Sequence, residues 1–146
     1  GVPHDAGRGE WLAMSSSLLN ELDRGDLDEV DDDELRRTFP HLWAERQKDP
    51  LHFRFPGHGG ESYADVVGRL RPIIIELERQ RRSLLVISHA TVQQCIYAYF
   101  TGCPMEELPE VDVGRGGACC AGLRADEVVE LRTEPFGTKV ERLRLG

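Results

Sequence analysis

Leu84-Leu85-Val86-Ile87-Ser88-His89 is the stretch whose reading decides the fold. Four apolar residues in a row, two of them β-branched, predict a short strand buried on both faces, as in a parallel sheet. The run stops at Ser88-His89, and a helix-periodic segment follows from about Val92 to Phe100. His89 is therefore expected in the crevice at the carboxyl end of a buried strand, beside a helix N-terminus. Open α/β sheets place ligands in that crevice, and the N–H groups of a helix start favour an anion such as phosphate. Position alone leaves two readings open. His89 either faces a ligand, or it merely ends the strand and bonds a backbone carbonyl.

Upstream of this stretch lies the strongest helix signal. Ser62 with Asp65 three residues later resembles a capping box. Val66, Leu70, Ile73/Ile74 and Leu77 form one apolar stripe. Arg69, Arg71, Glu76, Glu78 and Arg79 are assigned to the wet face, and Arg79 to Arg82 close the helix with cations. Pro72 lies inside and is expected to bend it. Leu51 to Phe55 reads as an extended segment running into the loop Pro56-Gly57-His58-Gly59-Gly60. A short helix, broken by Pro40, is expected over Asp33 to Trp43, and Arg46 to Pro50 is polar. The acidic run Asp26 to Glu34 reads as a solvated loop or helix N-terminus. Gly25 is the natural positive-φ residue of a turn after Asn20-Glu21-Leu22-Asp23-Arg24. Gly1 to about Glu10 reads as a loop.

Downstream, the second helix should end at Thr101-Gly102-Cys103-Pro104, with one further turn over Met105 to Leu108. Val111 to Gly122 reads as glycine-rich loop. Val128 to Arg132 and Lys139 to Leu145 alternate around a turn and predict two antiparallel strands. Helices around a mixed sheet give an α/β architecture.

Composition narrows the function. A length of 146 residues suits one domain, and a net charge of −8 argues against nucleic-acid or anionic-membrane surfaces. No stretch approaches the roughly 20 apolar residues of a membrane-spanning helix. The four cysteines show no Cys-x-x-Cys and no His pair at zinc spacing, and a reducing, cytoplasmic setting with free thiols is the simplest reading. Candidate chemistry gathers at His89, at Glu21 in its turn and at Gly60-Glu61-Ser62, with Arg46 and Arg54 as sources of positive charge.

The order Leu19-Asn20-Glu21-Leu22-Asp23-Arg24-Gly25, Gly60-Glu61-Ser62-Tyr63, Val86-Ile87-Ser88-His89 resembles the histidine phosphatase superfamily, which includes the phosphoglycerate mutases. The stretch from Gly60 to Gln80, with Tyr97-Ala98-Tyr99-Phe100 and Glu106-Glu107-Leu108-Pro109, is closest to the fructose-2,6-bisphosphatase half of the bifunctional 6-phosphofructo-2-kinase/fructose-2,6-bisphosphatases. The resemblance implies a phosphoglycerate mutase-like three-layer sandwich with a mostly parallel sheet. It implies hydrolysis of a small phosphorylated sugar through a phosphohistidine, without metal or cofactor, in a protein with a linked kinase domain. Glu21 matches the general acid, and His89 matches the second histidine, which donates to the phosphoryl oxygens. By the same resemblance, Arg46, Glu61, Ser62 and Tyr63 border the sugar-phosphate pocket. Their plainer readings stay open: a surface charge, a solvated acid, a helix cap and a packing residue.

Departures from the pattern carry information too. No Arg-His-Gly occurs, and Gly57-His58-Gly59 reads as a loop insertion. The nucleophilic histidine and the first strand are expected before Gly1, so residues 1–146 are expected to form the C-terminal two thirds of one domain, inactive and poorly stable alone. Asp32 stands where a tyrosine is expected, Pro50 where a lysine is, and Ala90 and Gln94 where Gln and Arg are. The family's Pro-Leu-His-Thr stretch is replaced near Gly114-Arg115-Gly116-Gly117. These changes leave room for another phosphorylated substrate. They also leave room for a non-catalytic remnant that binds a partner or sugar phosphate and regulates a linked kinase.

Overall fold

Ser62 opens the longest helix in the computed structural model, which describes residues 15–79, 84–111, 119–123, 127–134 and 137–144. The Asp65 carboxylate accepts from the Ser62 N–H (2.8 Å) and hydroxyl (2.8 Å), and the Ser62 hydroxyl accepts from the Asp65 N–H (3.2 Å). This reciprocal cap satisfies donors that have no partner inside the helix. Four helices and four strands, numbered along the chain, make up the regular structure of the described residues. They are α1 (Asp32–Thr38), α2 (Pro40–Lys48), α3 (Tyr63–Arg79), β1 (Leu84–Ser88), α4 (Ala90–Thr101), β2 (Cys119–Leu123), β3 (Glu127–Glu134) and β4 (Gly137–Arg144). Short 3-10 turns lie at Ser17–Leu19, Gly25–Leu27 and Met105–Glu110.

The expected stripe of α3 is the observed one. Val66, Leu70 and Leu77 are buried, and Ile73 and Ile74 pack against the core from its margin. Pro72 stays on the exposed side. Leu35, Val66, Leu70, Val92, Ile96 and Leu108 form the driest part of the core, joined by Leu22, Leu27 and Phe55. Removing such side chains from water is the main drive for docking α3 on α4 and on the turn at Ser17–Leu19.

The acidic run becomes a helix start. Asp31 accepts from the Glu34 N–H (2.7 Å), and Asp32, Asp33 and Glu34 fill the first turn of α1, where negative charge meets the positive helix end. Phe39, just before Pro40, leaves the helical region (φ −126°, ψ 61°). Pro40 then starts α2 instead of only ending α1, because a first-turn residue needs no N–H partner. The helical stretch expected to reach Trp43 runs further: α2 extends to Lys48 and carries Arg46 in its last turn.

The sheet corrects two expectations. Its order is β1-β2-β3-β4, and β1 pairs antiparallel with β2, Leu84 opposite Leu123 and Ser88 opposite Cys119. All three pairings are antiparallel, so the parallel neighbours expected for β1 are not among the described strands. An unbroken apolar run cannot state the direction of its partner. Nor are both faces buried at the described side chains of β1: Val86 is 6% exposed and Ile87 59%. β2 forms where loop was expected, since small residues and glycine do not announce a strand period and the pairing to β1 and β3 supplies it. β3 and β4 are the two expected antiparallel strands. The expected loop Gly1–Glu10, the glycine-rich stretch Gly114–Gly117, and Arg81 and Arg82 lie outside the described residues.

Candidate active site

The site is built where β1 hands over to α4. His89 is the N-cap of α4, in extended conformation (φ −86°, ψ 167°), and its side chain makes no cap bond. The imidazole is left exposed, while its carbonyl accepts from the Gln93 N–H (2.9 Å). Gln93 is buried and ties the strand end to the helix, donating from Nε2 to the Ser88 hydroxyl (2.8 Å) and the Val86 carbonyl (3.4 Å). The backbone beneath His89 is thus fixed, while its ring has no hydrogen-bond partner among the described residues.

Glu21 arrives from a different part of the chain. Its Oε2 accepts from the Thr91 N–H (3.4 Å) in the first turn of α4, and its Oε1 from the Leu22 N–H (2.8 Å). The carboxylate therefore sits at the positive end of the helix that His89 caps. The sequence separates these residues widely, and the fold brings them to one helix turn.

The position of Glu21 is set from both sides. Arg69 donates to the carbonyls of Leu18, Asn20 (2.7 Å) and Glu21 (3.2 Å), and holds Glu61 through Nε–Oε1 (2.8 Å) and Nη2–Oε2 (3.2 Å). Glu61 in turn accepts from the Asp23 N–H (3.0 Å), while its own N–H donates to the Asp23 carbonyl (2.8 Å). The assignment of Arg69 to the wet face is corrected: Arg69 and Glu61 side chains are each only 20% exposed. Gly25 completes the turn with φ 58°, and a Cβ there would meet the Pro56 carbonyl at 2.3 Å, so only glycine fits.

Tyr63, the first residue of α3, donates its hydroxyl to Gln94 Oε1 (3.0 Å), and Gln94 Nε2 donates to the Val111 carbonyl (2.7 Å). Burial pushes the Tyr63 phenol up. The Arg46 charge and a bond to Thr91 act against this, while Cys95 and Glu21 add to it. Tyr63 thus lies within electrostatic reach of both Arg46 and Glu21. Burial pushes the Cys95 thiol beneath it up to about 12.

Arg46 is half-buried against aromatic faces, its guanidinium carbon 5.6 Å from the Trp43 ring centre and 5.7 Å from that of Phe55. Asp32 Oδ1 lies 2.9 Å from Arg46 Nη1 and 2.9 Å from Arg24 Nη2. Burial raises the Asp32 carboxyl, but the two guanidiniums outweigh it and hold the group below its ordinary 3.8. Arg54 does not join this cluster. It pairs with Asp65 (2.6 and 3.0 Å) at the exposed start of α3. His58 stands exposed in its loop. The described residues contain no group of three or more His, Cys, Asp or Glu that could hold a metal ion. They also contain no helix long and apolar enough to cross a membrane.

Sequence reasoning missed Arg69 and Gln93. Each looks like an ordinary polar residue of an amphipathic helix, and nothing local announces partners on a distant loop or at a strand end.

A carboxylate thus meets the first turn of the helix that an exposed imidazole caps, and the partly buried Arg69 holds the turn that carries the carboxylate, in an α/β scaffold. The chain matches the family model of the histidine phosphatase superfamily (branch 1) over residues 13–133, and it belongs to that superfamily. It is 37% identical over 135 residues to a fructose-2,6-bisphosphatase of Saccharomyces cerevisiae, covering 92% of this chain and 26% of that protein. It is 46% identical over 100 residues to 6-phosphofructo-2-kinase/fructose-2,6-bisphosphatase 3 of Homo sapiens, covering 68% of this chain and 18% of that protein. The chain spans about a quarter or less of the length of the curated relatives it matches. Among solved structures, a mycobacterial glucosyl-3-phosphoglycerate phosphatase superposes with a TM-score of 0.54 at 19% identity, covering 88% of this chain and 62% of that one. The shared fold is the phosphoglycerate mutase-like α/β fold.

Proposed function

We propose that residues 1–146 are the C-terminal two thirds of a histidine phosphatase domain of the fructose-2,6-bisphosphatase type, which hydrolyses a sugar phosphate through a phosphohistidine. The observation that carries this reading is the Glu21 carboxylate at the first turn of the helix capped by His89. In the proposed reaction a histidine from outside this chain attacks phosphorus, so a P–N bond forms as the P–O bond to the sugar breaks. Glu21, in its acid form, gives its proton to the departing sugar oxygen. His89 donates to a phosphoryl oxygen as negative charge builds up on it, and the α4 N-terminus adds its field. Water, giving a proton back to Glu21, then displaces the histidine and releases inorganic phosphate. Arg46 and Tyr63 border the sugar, while Glu61 and Ser62 hold the wall on which Glu21 and Tyr63 stand. A linked kinase domain fits the relatives named for both a kinase and a phosphatase, and the proposed setting is cytoplasmic.

The test is a quench experiment on the full-length protein with fructose 2,6-bisphosphate labelled at the 2-phosphate. The expected result is an acid-labile, alkali-stable phosphoprotein that turns over far more slowly in His89→Ala. Correctly folded protein that neither takes up label nor releases phosphate would overturn it. Such an outcome would favour a non-catalytic regulator, a reading that the neutralised Arg24–Asp32–Arg46 cluster supports.

A further inference from the structure

Gln93 is a polar residue on a helix face that is otherwise apolar. It is 2% exposed, and the other buried residues of α4 are Val92, Cys95, Ile96 and Ala98. Burying an amide is costly unless its hydrogen bonds are made. Both of its Nε2 bonds to described residues reach the end of β1, the shorter to the Ser88 hydroxyl (2.8 Å) and the longer to the Val86 carbonyl (3.4 Å). Its main-chain N–H donates to the His89 carbonyl (2.9 Å), the ordinary first bond of a helix. Gln93 therefore grips the strand just before His89 and the carbonyl of His89 itself. An imidazole that works on a ligand is commonly aimed by a hydrogen bond to its other ring nitrogen. The His89 ring is exposed and has no such partner among the described residues. Its direction then depends on the backbone that carries it, and helix ends, where His89 stands, are prone to fray.

We propose that Gln93 is a positioning residue for His89: its buried amide, tied to the Ser88 hydroxyl, holds the β1–α4 junction so that the imidazole stays aimed at the phosphoryl group. The proposal rests on the phosphatase reading above. A donor stabilises developing charge only from hydrogen-bond distance, and a displacement of about 1 Å can cost about 10²-fold in rate. The competing account is that Gln93 only satisfies its own amide inside the core. On that account its loss lowers stability and leaves the chemistry of the folded protein unchanged, whereas a positioning role acts through His89 and vanishes with it.

The experiment compares full-length wild type, Gln93→Met and Ser88→Ala, each also in a His89→Ala background. Gln93→Met keeps the length and the main-chain bond and removes the amide. Ser88→Ala removes the acceptor at a half-buried strand end and serves should Gln93→Met fold poorly, which urea unfolding reads. On fructose 2,6-bisphosphate, each change alone is expected to lower kcat about tenfold, with KM within about twofold of wild type. In the His89→Ala background either change should alter kcat by less than about twofold, because no imidazole is left to misaim. In parallel, inorganic phosphate is titrated by calorimetry. Gln93→Met should weaken its binding about fivefold when His89 is present and leave it unchanged in His89→Ala. If the losses persist in full without His89, or if kcat and phosphate affinity stay at wild-type values in both variants, the proposal is wrong. If no ester turns over but Gln93→Met still weakens phosphate binding through His89, the phosphatase reading fails and the role of Gln93 stands. Wild type that neither turns over ester nor binds phosphate overturns both.

Discussion

Replacing Arg69 by Met keeps most of the side-chain length and removes the group that fixes the Glu21 turn. Three carbonyl oxygens, of Leu18, Asn20 and Glu21, lose a charged donor, and Glu61 loses its counter-ion. Both side chains of the ion pair are 20% exposed, so water restores only part of what is lost. Breaking a mostly buried pair by removing one partner costs about 3–5 kcal/mol. Set against a total stability of about 5–15 kcal/mol, that is enough to unfold a marginal domain. Arg69→Lys keeps the charge but cannot span acceptors on two segments at once, so about 1–3 kcal/mol is expected. The assay is equilibrium urea unfolding of Arg69→Met, Arg69→Lys, Glu61→Gln and the double variant Arg69→Met/Glu61→Gln. The cycle should return a coupling of about 1–3 kcal/mol between Arg69 and Glu61. Arg69→Lys should also lower kcat more than it raises KM, because it loosens Glu21 and not the sugar pocket. A cost below about 1 kcal/mol for Arg69→Met would refute the reasoning, since it would place Arg69 among ordinary surface residues.

Three further outcomes follow from single contacts. Ser62→Ala removes the cap of α3 and should cost about 1 kcal/mol in urea unfolding, with KM unchanged, because its hydroxyl is already committed to Asp65. Asp32 has its folded-state pKa lowered below 3.8, so its contribution to stability is complete above that value and is lost as pH falls through the folded pKa. Acid titration of unfolding free energy should therefore show wild type and Asp32→Asn converging below about pH 3.8 and separating above it. Cys95, buried and with its thiol pushed up to about 12, should resist iodoacetamide in the native protein and react in urea, while half-buried Cys103 reacts in both; peptide mass spectrometry reads the difference.

Much of this could be read along the chain because local physics dictates it. The stripe Val66–Leu70–Leu77, the Ser62–Asp65 cap and the Gly102 helix end are written in neighbouring residues. His89 at a strand end beside a helix start was legible for the same reason. The direction of the sheet was not, since Leu84 to Ile87 is equally apolar whichever way its partner runs. β2 was hidden by small residues whose strand conformation comes from pairing and not from propensity. Pro40 was read as a break, when the position before it is what leaves the helix and the proline starts the next one. For the candidate site, resemblance named Glu21, His89, Arg46, Glu61, Ser62 and Tyr63, whose roles are the ones proposed above, but it did not name Arg69. Its partners lie on a turn about fifty residues earlier in the chain, and an arginine on a helix carries no local mark of that. Asp32 was seen only as a departure; its pairing with two arginines needed the fold.

The central claim is that Glu21 gives the proton to the leaving oxygen, and leaving-group dependence tests it most directly. Full-length wild type and Glu21→Gln should be compared on fructose 2,6-bisphosphate, whose leaving group is an alkoxide, and on p-nitrophenyl phosphate, whose leaving phenolate needs little protonation. Loss of the acid should cut kcat for the sugar ester about 10²–10⁴-fold and leave the aryl ester within about tenfold of wild type. Equal losses on both, or none on either, would contradict the account.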